Sequence, residues 1–394
     1  MVRTAAIAAL LIGAASAQIQ IPPPIPTRWP ENTQLVFITG SYLQEKLVQD
    51  AWKHVQTVVR PELLAIKPST YKQFADITYN DNPQTSGYKA RRLQDTADFK
   101  ADVYTCKGQN DWGLTYDDGP SNVIVGGQHV NDTSAILQRL DSLGVKATFF
   151  VCGTAALSQP EILKATYQAG HEIASHTWTH HPITTLTNEQ LVAEVKYTEA
   201  LIYSLTGKVP NQFRPPYGDI DDRCRAILTA LGYTTIIWGY QPHRDSLDAG
   251  QPAQNPATAK QVVDTIRSWF TPQPGFISLQ HDIQQFTASI AITVLDYLVG
   301  LKNNNQPFPL NIKTVGQCIE APYYRDGTSA PGSTPVSTTT TTTVAPTTTA
   351  PVPSATVNPD SKQAEDKKNA ANVLGTSLGL AGVIALLAGV LPLW

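Results

Sequence analysis

The sequence predicts an α/β fold with a parallel sheet, on two observations. Between Gln109 and Ile319, short β-like runs alternate with helical patterns, the mark of repeated βα units. Asp117, Asp118, His176, Arg214 and His281, far apart in the chain, each fall at or just past the end of a predicted strand. A closed barrel of parallel strands places its active site there.

The elements follow in order. A strand at Leu114-Thr115-Tyr116 runs into the two carboxylates. Ile136, Leu137, Leu140 and Leu143 then fall at helical spacing, with Asp132 or Thr133 as cap and Gly144 as stop. Ala147 to Val151 is the next strand, and a helix from Pro160 to Ala169 ends at Gly170. Glu172 to Ser175 leads directly into His176. Thr187 with Gln190 forms a capping box that starts the clearest helix, and Gly207 closes it. Further strands are expected at Asn211 to Arg214, Thr234 to Trp238 and Phe276 to Leu279. Helices are expected at Asp221 to Leu231, Thr258 to Phe270 and Ala288 to Leu301. Residues 18–105 resist this reading. Leu43 to Val59 is amphipathic and Tyr79 to Gly87 is loop-like, and the segment fits a pro-region, a packing extension or a lid.

Residues 1–17 read as a secretory signal. Arg3 supplies positive charge, Ala5 to Ala14 is apolar, and Ala15-Ser16-Ala17 is a small-residue cleavage site that leaves Gln18 first. Residues 106–320 are the expected catalytic domain, and 321–368 a stalk and spacer. Thr328 to Pro359 is nearly all Ser, Thr, Pro, Ala and Val, which cannot bury a core and predicts a disordered, O-glycosylated stalk. Lys362 to Lys368 is charged, Asn369-Ala370-Ala371 is small, and Leu378 to Trp394 is apolar. That order predicts a glycosylphosphatidylinositol (GPI) signal over 369–394, with Asn369 as the attachment residue and Ala370 or Gly375 as rivals. A single membrane span is the alternative. Both ends place the expected protein outside the cell, attached to a surface.

Four cysteines in an oxidising compartment favour two disulfides over a thiolate metal site. Cys106 and Cys318 bracket the catalytic region, which predicts Cys106–Cys318 and, by elimination, Cys152–Cys224. Asn131-Asp132-Thr133 is a sequon, so Asn131 is the expected N-glycosylation site. The net charge of −3 carries no basic excess, which argues against a nucleic-acid partner.

Chemistry concentrates in Thr115-Tyr116-Asp117-Asp118-Gly119-Pro120 and His176-Thr177-Trp178-Thr179-His180. An Asp and two His with open positions make a divalent-metal site suited to hydrolysis. His176 and His180 could share a helix face or converge from a tight loop, and imidazole suits zinc or cobalt rather than calcium or magnesium. With Arg214-Pro215-Pro216-Tyr217-Gly218 and Leu279-Gln280-His281-Asp282, these segments resemble the polysaccharide deacetylases, the family-4 carbohydrate esterases. Among them the chain is most similar to the fungal GPI-anchored chitin deacetylases. The resemblance spans roughly residues 109–317.

It implies a distorted (β/α) barrel of the NodB-homology type, with seven strands. It implies that Asp118, His176 and His180 hold one zinc or cobalt ion, that Asp117 is the general base and that Arg214 orients it. His281 would be the general acid, and the Tyr217 backbone N–H would donate to the acetyl oxygen, so that Asp117 and Tyr217 line the acetate position. His181 is left out because its side chain should point away from that of His180, and Asp282 is a weaker partner for His281. The implied activity is removal of N-acetyl groups from chitin polymer or oligomers, giving chitosan and acetate, with no protein partner. Acetylated xylan or chitooligosaccharides are the alternative substrates, and a silent wall-anchored chitin-binding protein is the alternative class. Relatives carry an Asp-x-x-Asp-Trp type of segment after the strand ending at Trp238. This chain reads Gly239-Tyr240-Gln241-Pro242-His243-Arg244-Asp245-Ser246, and Asp245 is the expected residue tuning His281 or Arg214. Trp112, Trp178 and Tyr240 fit either sugar stacking or core packing.

Overall fold

The run from Asp111 to Asp117 joins the two main sheets. Its first half, Asp111–Gly113, pairs in parallel with Phe276–Ile277 on one side and Asn311–Lys313 on the other. After Leu114 it continues as Thr115–Asp117, in parallel with Thr148–Val151. A five-stranded sheet extends from there through Glu172–Ser175, Gln212–Phe213 and Thr234–Thr235. Every residue of Thr148–Val151 and Glu172–Ser175 is buried, as befits parallel strands covered on both faces. The structure, a computed structural model, describes residues 22–31, 33, 36–79, 91–329 and 331. The signal segment, residues 332–394 and the expected attachment residue Asn369 lie outside them.

The five-stranded and three-stranded sheets thus share one run, and all their pairings are parallel. They meet again at isolated bridges and single backbone hydrogen bonds. Asp117 bridges His281, Asp245 bridges Leu279, and the Gly239 amide donates to the Ile277 carbonyl at 3.0 Å. Among the described residues the expected seven-stranded barrel does not close as one ladder, and the strands form two parallel sheets linked at these points.

The helix signals are realised where they were read. The Asp132 carboxylate accepts from the Ala135 amide to start Thr133–Leu143, which Gly144 ends at φ 73°. Thr187 and Gln190 form the capping box of Asn188–Thr206, which Gly207 ends at φ 70°. The later helices are Asp222–Ala230, Pro256–Arg267 and Gln285–Asn303. Asn311–Lys313 and Val315–Ile319, of three and five residues, are too short for periodicity to reveal. Asn131 sits half-buried just before the Asp132 cap.

The N-terminal extension is part of the core. Helix Lys46–Val58 buries Leu47, Val48, Ala51 and Val55 in the same apolar cluster as Leu191, Val195 and Leu201. Leu47, Val48 and Val55 each contribute about 1.5–3 kcal/mol by burial. The Tyr197 hydroxyl donates to the Tyr42 carbonyl at 2.9 Å, and the Trp29 ring stacks on Trp178 at 5.7 Å.

Cys106 and Cys318 form a disulfide across 212 residues. The expected Cys152–Cys224 bond is corrected, since both residues are free and buried. The Cys152 thiol faces the His176 carbonyl at 3.6 Å, whereas Cys224, on Asp222–Ala230, faces the Ile183 carbonyl at 3.5 Å. Burial pushes both thiols well above their ordinary pKa. They behave as small buried hydrophobes, an option that elimination among cysteines overlooks.

Two results are therefore expected from unfolded, unreduced protein and from the double variant Cys106→Ser/Cys318→Ser. Thiol titration should find two free thiols per chain. The double variant should lose about 2–5 kcal/mol of stability in denaturant unfolding. A titration finding none would restore the second disulfide.

Candidate metal and catalytic centre

Asp117 ends the strand Thr115–Asp117, and Asp118 follows with left-handed backbone at φ 76°. Few residues other than glycine adopt that conformation, and here the two neighbouring carboxylates meet different partners. Arg214 Nη1 donates to Asp117 Oδ1 and to Thr115 Oγ1, each at 2.7 Å. The guanidinium is fully buried and lies over the Phe150 ring at 4.1 Å. Burial lowers the Arg214 pKa, and the Asp117 charge works against that shift.

Asp118 Oδ1 lies 3.2 Å from His176 Nε2 and 3.0 Å from His180 Nε2. The two histidines converge from a loop after Glu172–Ser175, which settles the choice between helix and loop. Thr177 and His180 within it are left-handed, at φ 68° and 62°. The middle of the loop is gripped by Glu194, buried on the helix Asn188–Thr206. Its carboxylate accepts from the Trp178 and Thr179 amides at 2.7 and 2.8 Å and from the Thr179 hydroxyl at 2.6 Å. Sequence reasoning missed Glu194, because nothing local marks a helical Glu that serves a distant loop.

These residues fit a divalent cation. One carboxylate oxygen and two imidazole nitrogens lie within 4.8 Å of one another. His176 Nδ1 is engaged by the Arg214 carbonyl at 2.7 Å, which leaves Nε2 to act as ligand. Asp118 Oδ1 is buried and accepts no hydrogen bond of acceptable geometry. Burial alone would raise the Asp118 pKa, but His180 and His176 outweigh it and hold the carboxyl well below the usual range. Tyr217 lies in the turn Pro216–Gly218 at φ 59°, its ring edge-on to His180 at 4.7 Å. His181 stands apart, bonded to Thr179 Oγ1 at 2.7 Å and stacked on Phe37.

The residue bonded to His281 is Asp248, while the expected Asp245 has no direct bond to it. His281 Nδ1 lies 2.6 Å from Asp248 Oδ1, and the His281 amide donates to Asp248 Oδ2 at 2.9 Å. Asp245 instead accepts from the Leu247 amide at 2.8 Å and acts on Arg214 and His281 only through space. The signal was present, since Asp245-Ser246-Leu247-Asp248 has the Asp-x-x-Asp spacing, with Ala249 in place of Trp. Burial lowers the His281 pKa, but Asp248, with Asp118 and Asp117 nearby, raises it to about 10. With Nδ1 taken, Nε2 is the nitrogen left for a ligand.

Asp282 serves the carboxylate turn rather than His281. It accepts from the Gly119 amide at 3.1 Å and the Thr133 hydroxyl at 2.6 Å, and burial pushes it up to about 7. A Cβ at position 119 would stand 2.3 Å from its Oδ1, so only glycine fits. Trp112 and Trp178 are fully buried and belong to the core, while Tyr240 is half-buried against Tyr104.

Residues 104–236 match the family described as polysaccharide deacetylase. The chain is 39% identical over 204 residues to chitin deacetylase 1 of Cryptococcus neoformans var. grubii, covering 49% of this chain and 41% of that protein. It is 32% identical over 264 residues to the chitin deacetylase of Amylomyces rouxii, covering 63% of this chain and 58% of that protein. The matches thus span less than two thirds of these relatives. Among solved structures, the chitin deacetylase of Colletotrichum lindemuthianum aligns with a TM-score of 0.48 and 25% identity, over 57% of this chain and 95% of that one.

Glu194→Ala should weaken divalent-metal affinity roughly 10- to 100-fold, because it frees the loop between the two histidine ligands. Competition with a chromophoric chelator measures this, with circular dichroism as the check on folding. Unchanged affinity in a folded variant would remove Glu194 from the site.

Proposed function

We propose that this chain, which carries a polysaccharide deacetylase domain, hydrolyses the N-acetyl groups of N-acetylglucosamine units in chitin, giving chitosan and acetate. One observation carries the reading. A carboxylate with two imidazoles, a carboxylate paired with Arg214, and a histidine paired with Asp248 meet in one cluster at the strand ends. The sequence similarity to chitin deacetylases supports the choice of substrate.

A zinc or cobalt ion held by Asp118, His176 and His180 would supply Lewis acidity and make a water molecule more acidic. Arg214 fixes Asp117 Oδ1, so Oδ2 is the oxygen that takes the proton of the attacking water. The Tyr217 amide donates to the acetyl oxygen as negative charge builds there. His281 Nε2 gives its proton to the departing nitrogen as the C–N bond breaks, and Asp248 at Nδ1 steadies the imidazolium. Acetate and a free amine leave. The Cys106–Cys318 disulfide supports an oxidising, extracellular setting. GPI attachment at Asn369, in the wall and on the outer membrane face, belongs to the same proposal and is supported by the segment order at 369–394.

Acetate release from acetylated chitin oligomers, before and after chelation, tests the reading against O-acetyl xylan. Chelation should abolish release and added zinc or cobalt should restore it. Asp117→Asn should cost about 10²–10⁴-fold in kcat. Activity confined to O-acetyl esters would overturn the chitin assignment, and chitin binding without acetate release would favour the silent wall-binding protein.

The pH profile gives a separate check. His281 must be protonated to act as the acid, so activity falls as pH rises through its pKa. Asp248 is the main group raising that pKa, so Asp248→Asn should move the alkaline limb to lower pH by about 1–3 units. An alkaline limb unmoved in this variant would assign it to another group.

A further inference from the structure

The hairpin of Thr70–Gln73 and Asp76–Thr78 belongs to the extension, and it stands beside the centre. Both of its bases are tied there. The Ser69 amide donates to the Thr184 carbonyl at 2.9 Å. The Tyr79 hydroxyl donates to Asp219 Oδ1 at 2.8 Å, and Asp219 also accepts from the Thr184 amide and hydroxyl. Thr184 follows the histidine loop and Asp219 follows the Tyr217 turn, so the hairpin is anchored to both segments.

One aromatic row leads outward from His181, the residue after His180. Tyr71 sets its ring edge against His181 at 5.3 Å and against Phe37 at 6.1 Å. It is also close enough to Tyr217 to act on it electrostatically. The Tyr71 hydroxyl accepts from the Phe74 amide at 2.9 Å. Phe74 is half-exposed, at 51%, and occupies the first central position of the two-residue turn at φ 44°. Two-residue hairpin turns favour glycine or asparagine at positive φ, and a bulky ring there is strained. The ring is not spent on the core, and strained residues of this kind concentrate where they have a functional reason.

We infer that Phe74, supported by Tyr71, is a stacking platform for a sugar ring of the acetylated chain beyond the unit being deacetylated. The inference rests on the function proposed above and extends it to residues outside the matched family region. A pyranose ring offers an apolar C–H face that packs on an aromatic side chain, while its hydroxyls stay in water. The extension would then favour oligomers long enough to lay a further sugar on the hairpin over the shortest substrates.

Phe74→Gly separates binding from folding. It removes the ring and also relieves the positive φ, so the melting temperature should hold or rise. KM for long acetylated chitin oligomers should increase on the order of tenfold, the loss of one stacked ring. Kinetics on the shortest substrate turned over should not change, and Phe74→Trp should keep KM near that of the unaltered protein. A Phe74→Gly protein with unaltered KM on long oligomers overturns the inference alone. An equal loss on short and long substrates also overturns it, by showing a structural effect on the centre. If the unaltered, metal-loaded protein releases no acetate from any chitin oligomer, the proposed function falls and this inference falls with it.

Discussion

Several carboxylates buried together set the terms for this site. Asp117, Asp118, Asp248 and Asp282 are all nearly inaccessible, and a buried charge without compensation is costly. Each is met differently. Asp117 has the buried guanidinium of Arg214, and Asp248 has His281. Asp282 is pushed up to about 7 and is held by Thr133 and Gly119, so it carries only part of a charge near neutrality. Asp118 has two imidazoles at 3.0–3.2 Å and an oxygen without a well-directed donor. A divalent cation satisfies that oxygen and both nitrogens at once, which is why the donor set reads as a metal site rather than as a structural ion pair.

Backbone geometry follows from the same demand. Consecutive residues of a strand point to opposite faces, so adjacent carboxylates cannot both serve one centre in regular β structure. The strand stops at Asp117, and Asp118 turns left-handed. Thr177, His180 and Tyr217 share that uncommon conformation, and all lie against the centre. Such residues persist only where their surroundings over-determine them. Glu194 and the Asp219–Thr184 contacts provide that support from behind the loops.

The parts legible in the sequence were those with local causes. Thr187 with Gln190 and Gly207, or Asp132 with Gly144, mark helix ends through hydrogen bonds made within a few residues. Asp118, His176 and His180 were legible because a hydrolytic metal site needs those residue types at strand ends. Asp248 carries the same signal, at Asp-x-x-Asp spacing from Asp245, but lacks the following Trp that would mark it. Cys152 and Cys224 failed for another reason. Pairing by elimination assumes that every thiol is oxidised, whereas burial gives a thiol an alternative that depends on tertiary position alone. Glu194 was invisible on the same ground, since its partners lie across the fold.

The extension follows from the same distinction between local and tertiary causes. Its helix Lys46–Val58 shows an apolar stripe in sequence, but nothing in that stripe says what it covers. In the fold it packs on Asn188–Thr206, the helix that carries Glu194, while Trp29 stacks on Trp178 inside the histidine loop. Phe37 lies flat on His181, the residue next to the candidate ligand His180. The segment therefore braces the loop from both sides, through Glu194's helix and through direct ring contacts. A pro-region that is removed on activation would take these contacts with it and expose Trp178 and His181, both fully buried here. Its described contacts make the extension part of the packing around the candidate centre, upstream of the strands that carry the two carboxylates.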